Sequence, residues 1–283
     1  MSRLAIASSI LVLCSGMAVA EGHDAISGYA LAGDGSRLLT MADISDPGAI
    51  AAVDLSEALA AIAWRPVTGD LLGFADGAIY SVDAATGEMT DLSATFVDEA
   101  SIGSGAAVAL DFNNQIDALR AVSTAGENLV YFPDGFGDGD ERAGSVRRFT
   151  DLAYADGDAM AGTTPEVFAN AYTNAINGQT AASTFQYALD AETDTLISLA
   201  NNAGTLETIA KITVDGAEVD LAPMGGFDIV SPQEGEDRAY AVLQVADAKT
   251  AGLYAIELTT GEATMLADLG VGGISSFAAA LGR

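Results

Sequence analysis

The chain has 283 residues, half of them apolar, with 40 Asp plus Glu against 11 Lys plus Arg, one cysteine and one histidine. A net charge of −29 argues against a surface made for nucleic acid or for an anionic membrane. Cys14 and His23 both lie close to the N-terminus, so the rest of the chain holds no thiol nucleophile, no cysteine zinc site and no histidine for a Ser-His-Asp relay.

Residues 1–20 run from a basic start at Arg3 through an apolar stretch, Leu4 to Leu13, to Ala18-Val19-Ala20. This is the pattern of a secretory signal peptide, with cleavage expected after Ala20. Cys14 would be acylated in a lipoprotein, but Leu13 stands where a small residue is needed. No later apolar run reaches the roughly 18 residues of a membrane span, so no stable membrane insertion is expected. Residues 21–283 are expected to form a single exported domain, monomeric, periplasmic or released to the medium. Without disulfides such a domain depends on a full hydrophobic core. Its acids are spread along the whole length, as in a protein of saline surroundings.

From residue 25 onward, short apolar runs alternate with Gly, Asp, Asn and Thr clusters, and no helical period persists. The chain reads as all-β. "GAIYSVDAATGEMTDL" (77–92) and "AGLYAIELTTGEATML" (251–266) nearly repeat each other as hairpins around a Thr-Gly turn. Weaker copies are expected at 183–199, 127–137 and 36–53. Preceding pairs of strands at 60–75, 107–122 and 226–245 complete units of four, spaced roughly 40 to 65 residues apart, which is the signature of a β-propeller. Innermost strands are expected at 60–65, 107–112, 167–173, 226–230 and 273–281. The last has no partners after it, and 25–43 lacks a strand before it. The C-terminal strand is therefore expected to complete the first blade of a five-bladed ring. Six or seven blades are the alternative if 200–225 hides another unit, and a β-sandwich is the rival architecture.

The strand Leu110 to Asn113, the following Asp117 to Val122, the turn Gly126 to Leu129 and the strand Ala171 to Asn174 resemble the core of a family of secreted bacterial proteins, domain of unknown function 4394. The likeness extends over most of residues 25–281. It implies an exported propeller-like domain with no established activity. The stretch 133–149 departs from it, with a longer loop where a short Asp-Thr-Gly turn is expected.

Several residues are candidates for a site. Asp111 and Asn113 share one face of an inner strand, Arg120 and Asp117 follow across the turn, and Asn128 lies in the next loop. Arg120, set among Leu119, Ala121 and Val122, is expected to be buried against Asp111, Asp117 or turn carbonyls and to brace the fold. Tyr172 and Asn174 belong to the next polar inner strand. Together Asp111, Asn113, Arg120, Asn128, Tyr172 and Asn174 mark a channel mouth able to hold a polar small ligand. Asp134, Asp138 and Asp140, with Glu141, offer oxygen ligands between glycines, but fall short of a complete calcium loop and compete with Arg142, Arg147 and Arg148. The segment 155–162 has the same character. No phosphate-binding glycine loop is present, and carboxylate pairs are too abundant to single out a glycosidase. The expected function is non-enzymatic binding of a protein partner or polar small ligand. A metal-dependent propeller hydrolase or lactonase is the alternative.

Overall fold

Apolar residues that alternate with polar ones, and that stop at Gly, Asn and Asp turns, produce strands of two to ten residues along the described chain. In the computed structural model, which describes residues 25–282 apart from Ala49, Asp76 and Asp98, these strands form five sheets ordered as the blades of a β-propeller. The expected signal peptide, its cleavage point and His23 lie outside the described residues.

Blade 1 begins with β1 (Ile26–Ala32), β2 (Arg37–Met41) and β3 (Ile50–Asp54). Blade 2 is β4 (Ala61–Arg65), β5 (Asp70–Ala75), β6 (Ala78–Val82) and β7 (Met89–Asp91). The short β8 (Thr95–Phe96) leads into blade 3, which is β9 (Val108–Asn113), β10 (Ala118–Ser123), β11 (Asn128–Phe132) and β12 (Ser145–Arg148). Next come β13 (Ala153–Tyr154) and blade 4, made of β14 (Val167–Tyr172), β15 (Gln186–Asp190), β16 (Thr195–Leu199) and β17 (Thr205–Lys211). The hairpin β18 (Thr213–Val214) and β19 (Ala217–Glu218) precedes blade 5, which is β20 (Leu221–Val230), β21 (Arg238–Val245), β22 (Gly252–Ile256) and β23 (Glu262–Asp268). Finally β24 (Ser276–Leu281) returns to blade 1 and pairs antiparallel with β1, from Ile26 opposite Leu281 to Leu31 opposite Ser276. The ring of five is closed by the C-terminal strand, as the sequence predicts.

Three blades carry more than four strands. The segment entering blades 3, 4 and 5 first lies parallel along the outermost strand, β8 on β12, β13 on β17 and β18 on β23. Only then does it cross to the axis. This covers backbone edges that would otherwise invite pairing with another chain. The stretch 200–225 supplies β17 of blade 4, the β18–β19 hairpin and the start of β20, and hides no sixth blade.

The two matching hairpins fall in the same place, as the outer pair of blades 2 and 5. Gly87 donates to the Asp83 carbonyl and Gly261 to that of Glu257, each closing the same turn. Both glycines have positive φ, 76° and 71°, and a Cβ on either would collide with the backbone of a neighbouring segment, at Asp54 and Lys211. The stretch 36–53 also fits this pattern, as β2 and β3. The stretch 183–199 does not: it is β15 and β16, the second and third strands of blade 4, so its likeness to the outer hairpins is out of phase by one strand. Likewise 127–137 is one strand, β11, followed by a long loop.

Each seam between neighbouring blades has its own apolar cluster. Leu31, Leu38, Ile62 and Leu71 fill the seam between blades 1 and 2. Phe74, Leu110, Phe112 and Tyr131 fill that between 2 and 3. Phe168, Leu196, Phe227 and Ile229 join 4 to 5, and Met41, Leu253 and Phe277 join 5 to 1. Burying each such side chain stabilises by roughly 1.5–3 kcal/mol. Between blades 3 and 4 the cluster of Ala109, Val122, Val167, Ala188 and Ile197 is smaller. Its axial half is polar.

Candidate functional site

Five inner strands, β24, β4, β9, β14 and β20, surround the axis, each packed on the next. The ring is narrow enough for β9 and β24, which are not neighbours, to approach across it. An inner strand has one edge without a sheet partner, so its N–H groups need acceptors from elsewhere. Side chains facing the next blade supply them. Asp111 Oδ2 accepts from the Tyr172 N–H at 2.5 Å, Asp228 Oδ2 from that of Ala279 at 2.6 Å, and Ser276 Oγ from that of Ile62 at 3.0 Å.

Two of these bridges are acids in a dry place. Burial is the largest cause of Asp111 rising well above the usual carboxylate range, and the charge of Asp228 adds to it. Burial likewise pushes Asp228 up to about 7. Asp228 stands in "GFDIV" much as Asp111 stands in "ALDFN"; an acid inside an inner strand was the signal that could have disclosed it.

Arg120 is buried, 4% exposed, directly opposite Asp111 in the β9–β10 register. Among the described residues its guanidinium nevertheless meets no carboxylate. Nε donates to the Tyr172 hydroxyl at 2.7 Å, Nη1 to Asn128 Oδ1, and Nη2 to Asn202 Oδ1 at 2.8 Å. The Phe149 ring lies 6.0 Å away. The expected partners Asp111 and Asp117 are thus replaced by neutral oxygens, one from β11 of the same blade and two from blade 4 and its outer loop. Tyr172 completes the link by donating to Asn201 Oδ1 at 2.8 Å, and Asn128 Nδ2 reaches the carbonyls of Thr150 and Asn201. Burial pushes the Tyr172 phenol up to about 12, so it remains a neutral donor. Asp117 serves another arginine: Arg65 grips it with two bonds, 2.8 and 2.5 Å, across the seam between blades 2 and 3. That contact spans 52 positions of sequence.

The loop from β14 to β15 covers the axial end at which Asn113, Tyr172 and Asn174 stand. It touches the other four blades. The Gly178 N–H reaches the Pro66 carbonyl, Asn177 Nδ2 the Leu281 carbonyl, and the Ser231 N–H the Ala175 carbonyl. Asn114 Nδ2 holds the loop from blade 3 through the carbonyls of Asn174 and Gln179. Asn174, at φ 59°, anchors its start, donating from its backbone to Asp237 and accepting from the Gly235 N–H. Asn113 Oδ1 accepts from Gln115 N–H and the Thr184 hydroxyl. Asn113, Tyr172 and Asn174 therefore stand at one end of the axis with Asp111 just below, whereas Arg120 and Asn128 lie on β10 and β11, Asn128 opposite Val122 toward the other end of blade 3; all six are buried and bonded within the protein.

The acidic loop does not converge. Asp140 turns to Arg142 with two bonds, 2.9 and 2.7 Å, which hold its carboxyl down at about 2. Asp138 is exposed. Among the described residues no three His, Cys, Asp or Glu side chains are grouped as metal ligands. Asp134 instead lines an open cleft of about 190 Å³ between blades 2 and 3 with Arg65, Asp70, Leu72, Ser81, Leu92, Tyr131 and Pro133. A second groove, of about 390 Å³, runs over Pro66 to Gly69 and Asn177 to Gly178. Among the described residues no helix is long and apolar enough to cross a membrane.

A five-bladed propeller with a closed axial end and a polar cleft beside it defines the class. The chain belongs to the family described as domain of unknown function DUF4394, which it matches over residues 37–278. No curated protein matches it. Among solved structures it is similar to a protein of unknown function from Bacteroides caccae, with 8% identity, a TM-score of 0.41, and 90% of this chain and 98% of that one covered. It is also similar to an auxiliary nutrient binding protein from Bacteroides thetaiotaomicron, with 13% identity and a TM-score of 0.42, and to a protein of unknown function from the same organism, with 16% identity and a TM-score of 0.45. Each of these two comparisons covers 75% of this chain and 55% of the other, so the chain spans about half their length.

Proposed function

We propose that this chain is an exported, non-enzymatic binding protein whose ligand is a polar small molecule of the saccharide or polyol class, taken into the cleft between blades 2 and 3. The observation that carries the reading is the chemistry of that cleft. Asp70 and Asp134 offer acceptors for hydroxyl groups, Ser81 and Tyr131 bring hydroxyls, and Leu72, Leu92 and Pro133 give an apolar wall for C–H faces. Arg65 is fixed there by Asp117, so its remaining donors are already oriented before a ligand arrives. The axial residues, by contrast, spend their hydrogen-bonding groups on one another, and we assign them to bracing. A protein partner is the second reading, favoured by Phe185 and Ile116, 49% and 46% exposed, on loops at the same end.

Calorimetric titration with a panel of monosaccharides, oligosaccharides and polyols tests the first reading. One or more should bind, and Asp134→Asn or Tyr131→Phe should weaken that binding by about tenfold, the cost of one good hydrogen bond to a charged or oriented group. A panel without a binder overturns the proposal. So does binding that survives both changes but falls with Asn174→Ala, which would return the site to the axial mouth.

A further inference from the structure

We propose that the seam between blades 3 and 4 holds one monovalent cation of sodium or potassium size, bound beside the axis by side-chain oxygens of Asp111, Asn170 and Gln186. Strand register puts these groups in the same space. Asp111 and Arg120 are opposite one another on the face of blade 3 that turns to blade 4, alongside Ala109 opposite Val122. On the facing side of blade 4, Asn170 lies opposite Ala188 and Tyr172 opposite Gln186. Ala188 packs in one cluster with Ala109 and Val122, which fixes the face.

Asn170 and Gln186 are 1% and 2% exposed. The side-chain nitrogen and oxygen of both have no hydrogen-bond partner in the protein. Buried amides are nearly always paired, and here two adjacent ones are left open toward a carboxylate. Each can present its oxygen inward by a half-turn of the amide. Asp111 accepts from the Tyr172 N–H through Oδ2 and from the Phe112 N–H, and the four lone-pair sites of a carboxylate leave room for an ion beside those two donors. These are hard oxygen donors of the kind that suit alkali and alkaline-earth ions rather than thiolate-seeking metals.

Charge favours a cation here: three acids, Asp111, Asp190 and Asp228, are buried against one arginine, Arg120. The donor set itself holds one carboxylate and two neutral amides, so a single positive charge neutralises it. Asp190 and Tyr154, at the far end of the seam, are bonded to each other and to Thr193. Asp237 is taken by Asn174 and Ser231.

The test compares thermal unfolding in sodium, potassium and choline chloride at equal ionic strength, about 0.15 M, where all three screen surface charge alike and choline is too large to enter. At about pH 8 sodium or potassium should raise the melting temperature above that in choline by about 3–6 °C, the shift that roughly tenfold saturation gives. Asn170→Ala and Gln186→Ala should abolish the ion-specific part and keep the response common to all three salts. Sodium nuclear relaxation on the wild-type chain reads the same site without a variant, as a saturable excess. Indistinguishable melting in the three salts at pH 8 overturns the proposal in favour of internal water alone, and an ion-specific effect untouched by both substitutions overturns the location.

Discussion

Replacing Arg120 by alanine removes a buried cation and three hydrogen bonds at once. The Tyr172 hydroxyl keeps Asn201 as acceptor, but Asn128 Oδ1 and Asn202 Oδ1 lose their donor, and a space the size of a guanidinium opens beside Phe149. Hydrogen bonds to a charged group contribute about 1.5–3 kcal/mol each, while losing the desolvated charge and letting water into the gap return part of this. The net expectation is a loss of about 3–5 kcal/mol, a large share of the stability of an ordinary domain. Lysine should recover little, because one ammonium cannot span three acceptors set around a planar fork, and we expect Arg120→Lys to lose about 2–4 kcal/mol. Urea denaturation of wild type and both variants, with unchanged dependence on urea concentration, measures this directly. If both variants lie within about 0.5 kcal/mol of wild type, the bracing argument is refuted.

Asp117 has φ 53°, a conformation asparagine also tolerates, so Asp117→Asn isolates the charge of the Arg65 pair; it should cost about 1–2 kcal/mol by denaturation, since the two side chains are 18% and 21% exposed. Asp228 holds its proton up to about 7 in the folded chain, against about 4 unfolded, so the native state binds more protons between those values and stability falls as pH rises through them. In choline buffer that decline should approach about 4 kcal/mol and should flatten in Asp228→Asn, which a series of melts from pH 4 to about 8 will detect. Gly226 brings β20 against β24, where a Cβ would collide with the Phe277 backbone. Gly226→Ala should therefore lose about 1–3 kcal/mol through overpacking, seen as a lower urea midpoint. With −29 charges on the chain, the melting temperature should rise in all three chlorides between low salt and about 1 M, and a flat profile would mean that the acids are already paired or well separated.

Arg120 illustrates what a sequence can disclose. Its burial follows from one basic residue inside an apolar run, whereas its partners Tyr172 and Asn202 lie 52 and 82 positions away, joined to it only by the packing of two blades. The inner strands and the closing C-terminal strand were legible because each carries a run of apolar residues between turn signals. The two-residue strands β8, β13 and β18 fall below any detectable period. The loop 173–185 reads as an ordinary polar connector, and nothing in its composition announces that it touches four other blades. Asn170 and Gln186 are likewise silent, since an amide in a strand acquires meaning only from the absence of a partner.

The pairing of β24 with β1 joins residues about 250 positions apart, the farthest contact the described chain makes. During synthesis from the N-terminus, blade 1 waits with β1 unpaired along one edge until β24 emerges. No chain that stops short of β24 can therefore close the ring, and this late step carries the entropy of a loop of about 250 residues. The fold is thus timed as well as shaped: the ring remains open and vulnerable at one edge until β24 is made, and then that edge is paired.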